Sequence, residues 1–469
     1  MPAQLTTRAQ VNGYRFLLQR FEHALVRRDV RMLHDPMRIQ FRSLITGLVL
    51  AVLVTGGCAV LAFLRPQGQV GEAKIIMGAD SGALYAMVDK TLHPAMNLAS
   101  ARLITGSSES PTSVKDSKLS SLSRGPLLGI PGAPASLPGP VDGDRSAWAL
   151  CDDTTSGLKT TVLDGIPQFG PRVRPAAADE ALLASRDGAT YLVYDGKHAR
   201  IDMGNNAIVS ALQLQNIRPR PIGTGLLNAT VSAPDLLVPA IPNAGAPSTI
   251  RDGSIVVGSV IRVEGVHGST PYVVLTEGLQ RISEFTAEVL RTANSMGLTA
   301  IPLLPPDAIS ALPIVHSLPI DEFPPTRPAI VSADSTPMAC ASWTRGMHDP
   351  AARLQLLVGT QLPLAPSAQP LVLVAADSAY SAYIPSATGE FVQATGVEPD
   401  STRRDALFYI TDTGVRFGIP DAATAAVLGL AQPKLAPWQI ISQLPAGPML
   451  DRQSALIARD VVRADGTPR

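Results

Sequence analysis

"YVVLTEGLQRISEFTAEVLRTA", residues 272–293, packs a whole structural unit into 22 residues. Tyr272–Leu275 has the aromatic and β-branched content of a strand. Glu277-Gly278 supplies a tight turn, Leu279–Ile282 a second short strand, and Ser283 a polar cap for an apolar-faced helix that follows.

Three further stretches repeat that order: "LYAMVDKTLHPAMNLASARLI" (84–104), "YLVYDGKHARIDMGNNAIVSAL" (191–212) and "FYITDTGVRFGIPDAATAAVLGL" (408–430). Their turns fall at Asp89-Lys90, Asp195-Gly196 and Asp412-Thr413-Gly414, and their helix caps at Asn97, Asn205 and Asp421. Four copies of one hairpin-helix module are expected, near 70–106, 185–215, 265–297 and 405–432. Tyr85, Tyr191, Tyr272 and Tyr409 lie 106, 81 and 137 residues apart, so no fixed solenoid or propeller period runs through the chain. The chain must leave and re-enter a shared core between copies. "SAWALCD", "GSVIRVE", "LQLLVGT" and "PLVLVAA" have the length and apolar content to supply that core sheet. Gly106–Arg145 and Ile301–Pro328 read as loops, because proline removes helix and central strand as options. The fold class is α+β, elongated, with a discontinuous central domain.

Nearer the N-terminus, "SLITGLVLAVLVTGGCAVLAFL" (43–64) runs 22 residues without a charge. As a helix it reaches about 33 Å, enough for a hydrocarbon core of about 30 Å. A cleaved signal peptide has a shorter apolar region and a small-residue cleavage site, which this stretch lacks. Residues 1–42 carry eight arginines against Glu22, Asp29 and Asp35, a net of +5. Positive charge beside a span stays in the cytoplasm, so 1–42 is expected inside and 65–469 outside. The whole chain is neutral, which leaves the outer part at −5 and excludes nucleic acid as its partner.

Inside, Val11, Tyr14, Leu18, Phe21 and Leu25 recur at steps of three and four on one face of a helix expected from Thr6 to about Asp29. That face wants a partner: another protein, or the anionic inner leaflet. The bland reading is a helix that only anchors the span. Outside, Cys151 and Cys340 form an even pair in a compartment where disulfides persist. A disulfide is the stronger reading. Two isolated cysteines without a neighbouring His pair fall short of zinc spacing.

Catalytic signatures are missing. A P-loop needs GxxxxGK[ST], so that backbone N–H groups cradle phosphates while the lysine reaches them. The one Gly-Lys, Gly196-Lys197, is followed by His198 and reads as a hairpin turn. There is no HExxH, and His93, His198, His267, His316 and His348 are scattered. "GADSG" around Ser81 is spaced wrongly for a nucleophile elbow. The adjacent carboxylates of "DEF" (321–323) read as solvated charge in a proline-rich loop.

"TTRAQVNGYRFLLQRFEHALVRRDVRM", the span, "SGALYAMVDKTLHPAMNLASARLITG", "RGPLLGIPGAP", the two cysteines, "GVRFGIPD" and "APWQIISQLPAGPML" together resemble the EccB family of mycobacterial type VII (ESX) secretion membrane components. The resemblance implies a single-pass inner-membrane protein with a cytoplasmic N-terminal helix. Its periplasmic part would combine a central domain with four repeats similar to a phage-lysin cell-wall-binding subunit, and the family's disulfide maps onto Cys151 and Cys340. It implies a homo-oligomer that assembles with EccC, EccD, EccE and a mycosin protease, without a cofactor. A structural scaffold is the reading preferred. The alternatives are a nucleotide hydrolase, since the family is sometimes labelled an ATPase, and a cell-wall-binding anchor.

Overall fold

The structure, a computed structural model, describes residues 7–28, 30, 36–64, 70–140, 143–250, 252–266, 268–373 and 381–460, without the side chains of residues 27, 36–39 and 61–64. It falls into two bodies, Met1–Gln69 and Val70–Arg469.

The smaller body holds α1 (Arg8–Arg27) and α2 (Pro36–Leu64). The Thr7 amide donates to Gln10 Oε1 at 2.9 Å, and α1 ends on Arg28 in the left-handed region, its N–H returned to the Ala24 carbonyl at 2.9 Å. α2 starts seven residues ahead of the apolar stretch, with proline at a position whose N–H has no partner in any helix. Its window Gln40–Val60 is long and apolar enough to cross a membrane, offset toward the N-terminus from the expected 43–64. Thr46 and Thr55 return their hydroxyls to the carbonyls of Arg42 (2.8 Å) and Ala51 (2.6 Å), which satisfies both donors within the helix.

Among its described residues the larger body is laid out along the chain as five sheets. A first unit comprises β1 (Ile75–Gly78), β2 (Leu84–Val88), β3 (Thr91–Pro94), α3 (Leu98–Thr105), β4 (Thr112–Val114) and α4 (Asp116–Leu119). Three strands of a central sheet follow, β5 (Arg145–Asp153), β6 (Lys159–Asp164) and β7 (Val173–Pro175). A second unit has β8 (Glu180–Arg186), β9 (Ala189–Tyr194), β10 (Lys197–Ile201), α5 (Asn206–Ala211), β11 (Arg220–Pro221), α6 (Thr224–Asn228) and β12 (Val231–Ser232). The third has β13 (Val260–Gly265), β14 (Gly268–Leu275), β15 (Gly278–Arg281), α7 (Glu284–Ala293) and β16 (Leu303–Leu304). After β17 (Ala329–Ile330), which returns to β8, the central sheet resumes with β18 (Met338–Gly346), β19 (Arg353–Gly359), β20 (Leu371–Val372) and β21 (Ser381–Tyr383). The fourth unit closes the chain with β22 (Gly389–Thr395), β23 (Leu407–Thr411), β24 (Arg416–Ile419), α8 (Ala422–Val427), β25 (Lys434–Pro437), α9 (Trp438–Ile441) and α10 (Arg452–Ala455).

One strand order recurs: β3-β2-β1-β4, β10-β9-β8-β11, β15-β14-β13-β16 and β24-β23-β22-β25. The hairpin neighbours are antiparallel, and the fourth strand runs parallel to the first, which the helix makes possible by carrying the chain back across the sheet. The turns and caps lie where the sequence places them. Asp89, Lys90, Asp195, Gly196, Gly278 and Gly414 have positive φ, and Asn97, Asn205, Ser283 and Asp421 accept amides of the first helical turn. The sequence reading missed the fourth strand of each unit and the first strand of the first, second and fourth. "GSVIRVE" is the opening strand of the third unit, not part of the central sheet. "PLVLVAA" supplies only the exposed pair Leu371–Val372, and its residues 374–376 lie outside the described residues. The proline-rich loop after the third unit's helix still holds β16 and a 3₁₀ turn at Pro306–Ile309.

Packing pairs the units helix to helix. α3 of the first meets α8 of the fourth, and α5 of the second meets α7 of the third. Each pair shares a core: Ala99, Leu103 and Ile104 with Phe417, Ala425 and Leu428, and Ile208 and Leu212 with Phe285 and Val289. The second and fourth units also share a core with one face of the central sheet, through Leu182 and Val193 on one side and Val392, Phe408 and Ile440 on the other. There α6 meets α9, its equivalent in the fourth unit. A Cβ on Gly225 would stand 2.8 Å from Gln443 Oε1 and 2.9 Å from a Leu150 methyl, so glycine sets this approach.

Candidate functional site

All five residues of the apolar face on α1 are exposed, Val11 least at 43% and Leu25 most at 76%. Among the described residues nothing within the smaller body covers that face. Cys58, on α2, is free and exposed.

Cys151 and Cys340 are disulfide-bonded across β5 and β18, where the antiparallel register sets them directly opposite. Three residues from each cysteine, Trp148 and Trp343 are also register partners. The odd spacing sends cysteines and tryptophans to opposite faces. The tryptophans join the core shared with the second and fourth units. The cysteines join a smaller cluster with Met338, Leu357 and Leu362. Between the two cysteines the chain builds both the second and third units, so the bond closes the base of a two-unit insertion.

Several charged side chains, most of them buried, reach across the seams between units. Asp152 accepts the Gly223 amide (2.6 Å) and the Thr160 hydroxyl (2.7 Å), which ties β5 to the start of α6. Burial pushes its carboxyl above the usual range, against the opposing pull of those hydrogen bonds and of Arg220 and Arg186. Arg220 donates to the carbonyls of Thr336 (3.0 Å) and Pro337 (2.7 Å), just ahead of β18, and burial holds its pKa down. Lys434 and Glu390, about 5% exposed, pair at 3.0 Å, and the ammonium also donates to the Arg145 carbonyl at 3.0 Å. Between the first and fourth units, Arg102 donates to the Leu428 carbonyl and the Tyr409 hydroxyl to the Pro138 carbonyl at 2.9 Å.

The candidates for chemistry resolve into structural parts. Gly196-Lys197 is a hairpin turn, and Lys197 pairs with Glu322 at 2.6 Å. "DEF" is therefore more than solvated charge. The Glu322 carbonyl accepts from Tyr194, whose phenol burial pushes up to about 12, and Phe323 packs on Phe285. Ser81 accepts the Ala83 amide within its turn. His93 Nδ1 lies 3.2 Å from the Pro126 carbonyl, His198 Nδ1 lies 2.8 Å from the Thr230 hydroxyl, and His267 is outside the described residues. Among the described residues no group of three or more His, Cys, Asp or Glu is placed to hold a metal ion. Sequence reasoning missed Asp152, Arg220, Glu390 and Lys434. Single charges in strand-like runs were the only signal they offered.

A family model described as "Type VII secretion system ESX-1, transport TM domain B" matches residues 3–464. The chain is 37% identical to the ESX-1 secretion system ATPase EccB1 of Mycobacterium tuberculosis (strain ATCC 25618 / H37Rv), over 100% of this chain and 98% of that protein. It is 38% identical to the ESX-3 secretion system ATPase EccB3 of Mycolicibacterium smegmatis (strain ATCC 700084 / mc(2)155), over 97% and 91%. Among solved structures, a chain of an intact ESX-5 inner membrane complex matches with a TM-score of 0.74 and 33% identity, over 100% of this chain and 98% of that one. A chain of the EccB3 dimer from the ESX-3 core complex matches with a TM-score of 0.73 and 36% identity, over 82% and 100%.

Proposed function

This chain belongs to the EccB family of type VII secretion membrane components, and on that premise we propose that it works as a non-enzymatic scaffold tying the inner-membrane complex to its periplasmic part. The observation that carries the reading is where charged side chains go at the seams. Asp152 and Arg220 tie the second unit to the central sheet. Lys434, held by its buried partner Glu390 within the fourth unit, ties that unit to the Arg145 carbonyl of the central sheet, and the partly buried Arg102 ties the first unit to the fourth. Such a chain is built to hold several surfaces in fixed relation. The arginine excess of residues 1–42 orients the span with α1 in the cytoplasm and the five-sheet body outside. There the face of Val11, Tyr14, Leu18, Phe21 and Leu25 docks on a cytoplasmic partner. The four units of one strand order are the family's repeat domains, and the sheet bearing the disulfide is its central domain. EccC, EccD, EccE, a mycosin protease and further copies of this chain are the partners that family membership supplies.

The name ATPase carried by the relatives sets the competing reading. Two measurements separate them: affinity purification of the tagged full chain from native membranes, and ATP turnover by the purified full chain. The scaffold reading expects co-purification of the other membrane components and no turnover above background. Turnover abolished by one acidic or basic substitution in a chain that still assembles would replace it with the hydrolase.

A further inference from the structure

The last described residues of the chain finish the first unit. From Leu450, whose amide donates to Gly418 of the fourth unit at 2.9 Å, the chain crosses to the first unit as α10. Asp451 caps that helix by accepting the Ser454 amide at 2.8 Å, and Ala455 is fully buried in the core that α3 contributes to. Beyond it, Ala458 bridges antiparallel to Leu128. The Arg459 amide donates to the Leu127 carbonyl (2.9 Å), Arg459 Nε to the Gly129 carbonyl (3.0 Å), and Asp460 Oδ2 accepts the Leu127 amide (2.9 Å).

The seat is held by other bonds. The Leu128 amide donates to Pro94, the Met96 amide to Leu128, Asn97 Nδ2 to Ile130, and the Ile130 amide to the Ser100 hydroxyl, all at 2.9–3.1 Å. Asn97, the cap of α3, and Ser100 in its first turn thus bolt "PLLGIPG" (126–132) in place from within the first unit. The outer side of the strap faces solvent, with Leu456 42% and Ile457 47% exposed.

We propose that Asp451–Asp460 is a detachable strap, and that its seat on Leu127–Gly129 and α3 is a peptide-binding site that the same segment can fill in trans. The seat selects small side chains at 455 and 458, a guanidinium at 459 and a carboxylate at 460, with main-chain pairing of the kind used when an extended peptide adds to an exposed edge. Occupied by its own strap, the site clasps the first unit to the fourth. Vacated, it accepts the strap of another copy.

The test uses the chain ended at Leu450 and a labelled synthetic peptide of residues 451–460. Saturable binding is expected to the shortened chain, at least tenfold weaker to the intact chain, whose seat is filled, and at least tenfold weaker for the peptide with Arg459→Ala and Asp460→Ala. Hydrogen exchange at the Leu127 amide should quicken at least tenfold on shortening and slow again with peptide. If the shortened chain does not fold, the full chain carrying Arg459→Ala and Asp460→Ala is read by the same exchange. Absence of binding, equal binding to both chains, or unchanged exchange at Leu127 would overturn the proposal.

Discussion

Cys151 and Cys340 stand directly opposite each other in neighbouring strands, with Cα atoms 4.0 Å apart, although 189 residues separate them in sequence. Because the intervening chain contains two entire units, the bond restrains their attachment to the central sheet from both ends. In the chain-entropy account, closing a loop of this length is worth up to about 5 kcal/mol. Replacing both cysteines by serine is expected to lower the denaturant midpoint of the full chain in detergent. Limited proteolysis should then cut the connections at 176–179 and 331–337 first. A midpoint equal to that of the oxidised wild type would show that packing alone holds the insertion.

Leu18→Asp with Phe21→Asp places two carboxylates on the exposed face of α1 and leaves α2 untouched. Each apolar side chain of that size is worth about 1.5–3 kcal/mol when buried, and a charge in its place costs more. Membrane insertion should survive while recovery of the other membrane components with the tagged chain falls. An intact complex would reduce α1 to an anchor.

Gly278 and Lys197 occupy hairpin turns in two of the repeated units, yet they should respond oppositely. Gly278 has φ +154°, and a Cβ there would lie 2.2 Å from the Pro313 carbonyl oxygen, so Gly278→Val meets backbone strain of about 1–3 kcal/mol before the clash is counted. Lys197→Ala loses one half-exposed ion pair, worth about 0–1 kcal/mol. Secretion and the level of folded protein should drop with Gly278→Val and persist with Lys197→Ala. Were Lys197→Ala to block secretion in a fully assembled complex, the scaffold reading would fail.

Asp152 gives the seam between the central sheet and the second unit a defined pH response. Its carboxyl is raised by burial, so the folded chain keeps that proton to a higher pH than the unfolded chain, where it leaves near pH 3.9. Between those two values the folded state binds more protons, and this group's contribution to stability falls as pH rises. Asp152→Asn cannot titrate. Unfolding midpoints measured across the acid range should show wild type losing ground to the variant as pH climbs through that window. The difference should level off on either side. Parallel profiles would mean the carboxyl titrates normally.

The sequence alone determined the local parts. The uncharged run at 43–64 needed only length to read as a span, and the arginines before it needed only counting. Asp195-Gly196, Glu277-Gly278 and the caps Asn97, Asn205, Ser283 and Asp421 were legible because a tight turn or a helix start is decided by the few residues that form it. Four copies of the hairpin-helix segment followed from that local signal. The rest was set by residues far apart in the chain. β11 and β16 are two residues long and have no pattern of their own; they are strands only because β8 and β13 offer an edge. Tertiary structure also decided that α3 meets α8 and α5 meets α7, since an alanine-rich face packs on any surface of matching shape. Asp152, Arg220, Glu390 and Lys434 look like ordinary surface charges until the units close over them, because burial depends on what arrives from elsewhere in the chain.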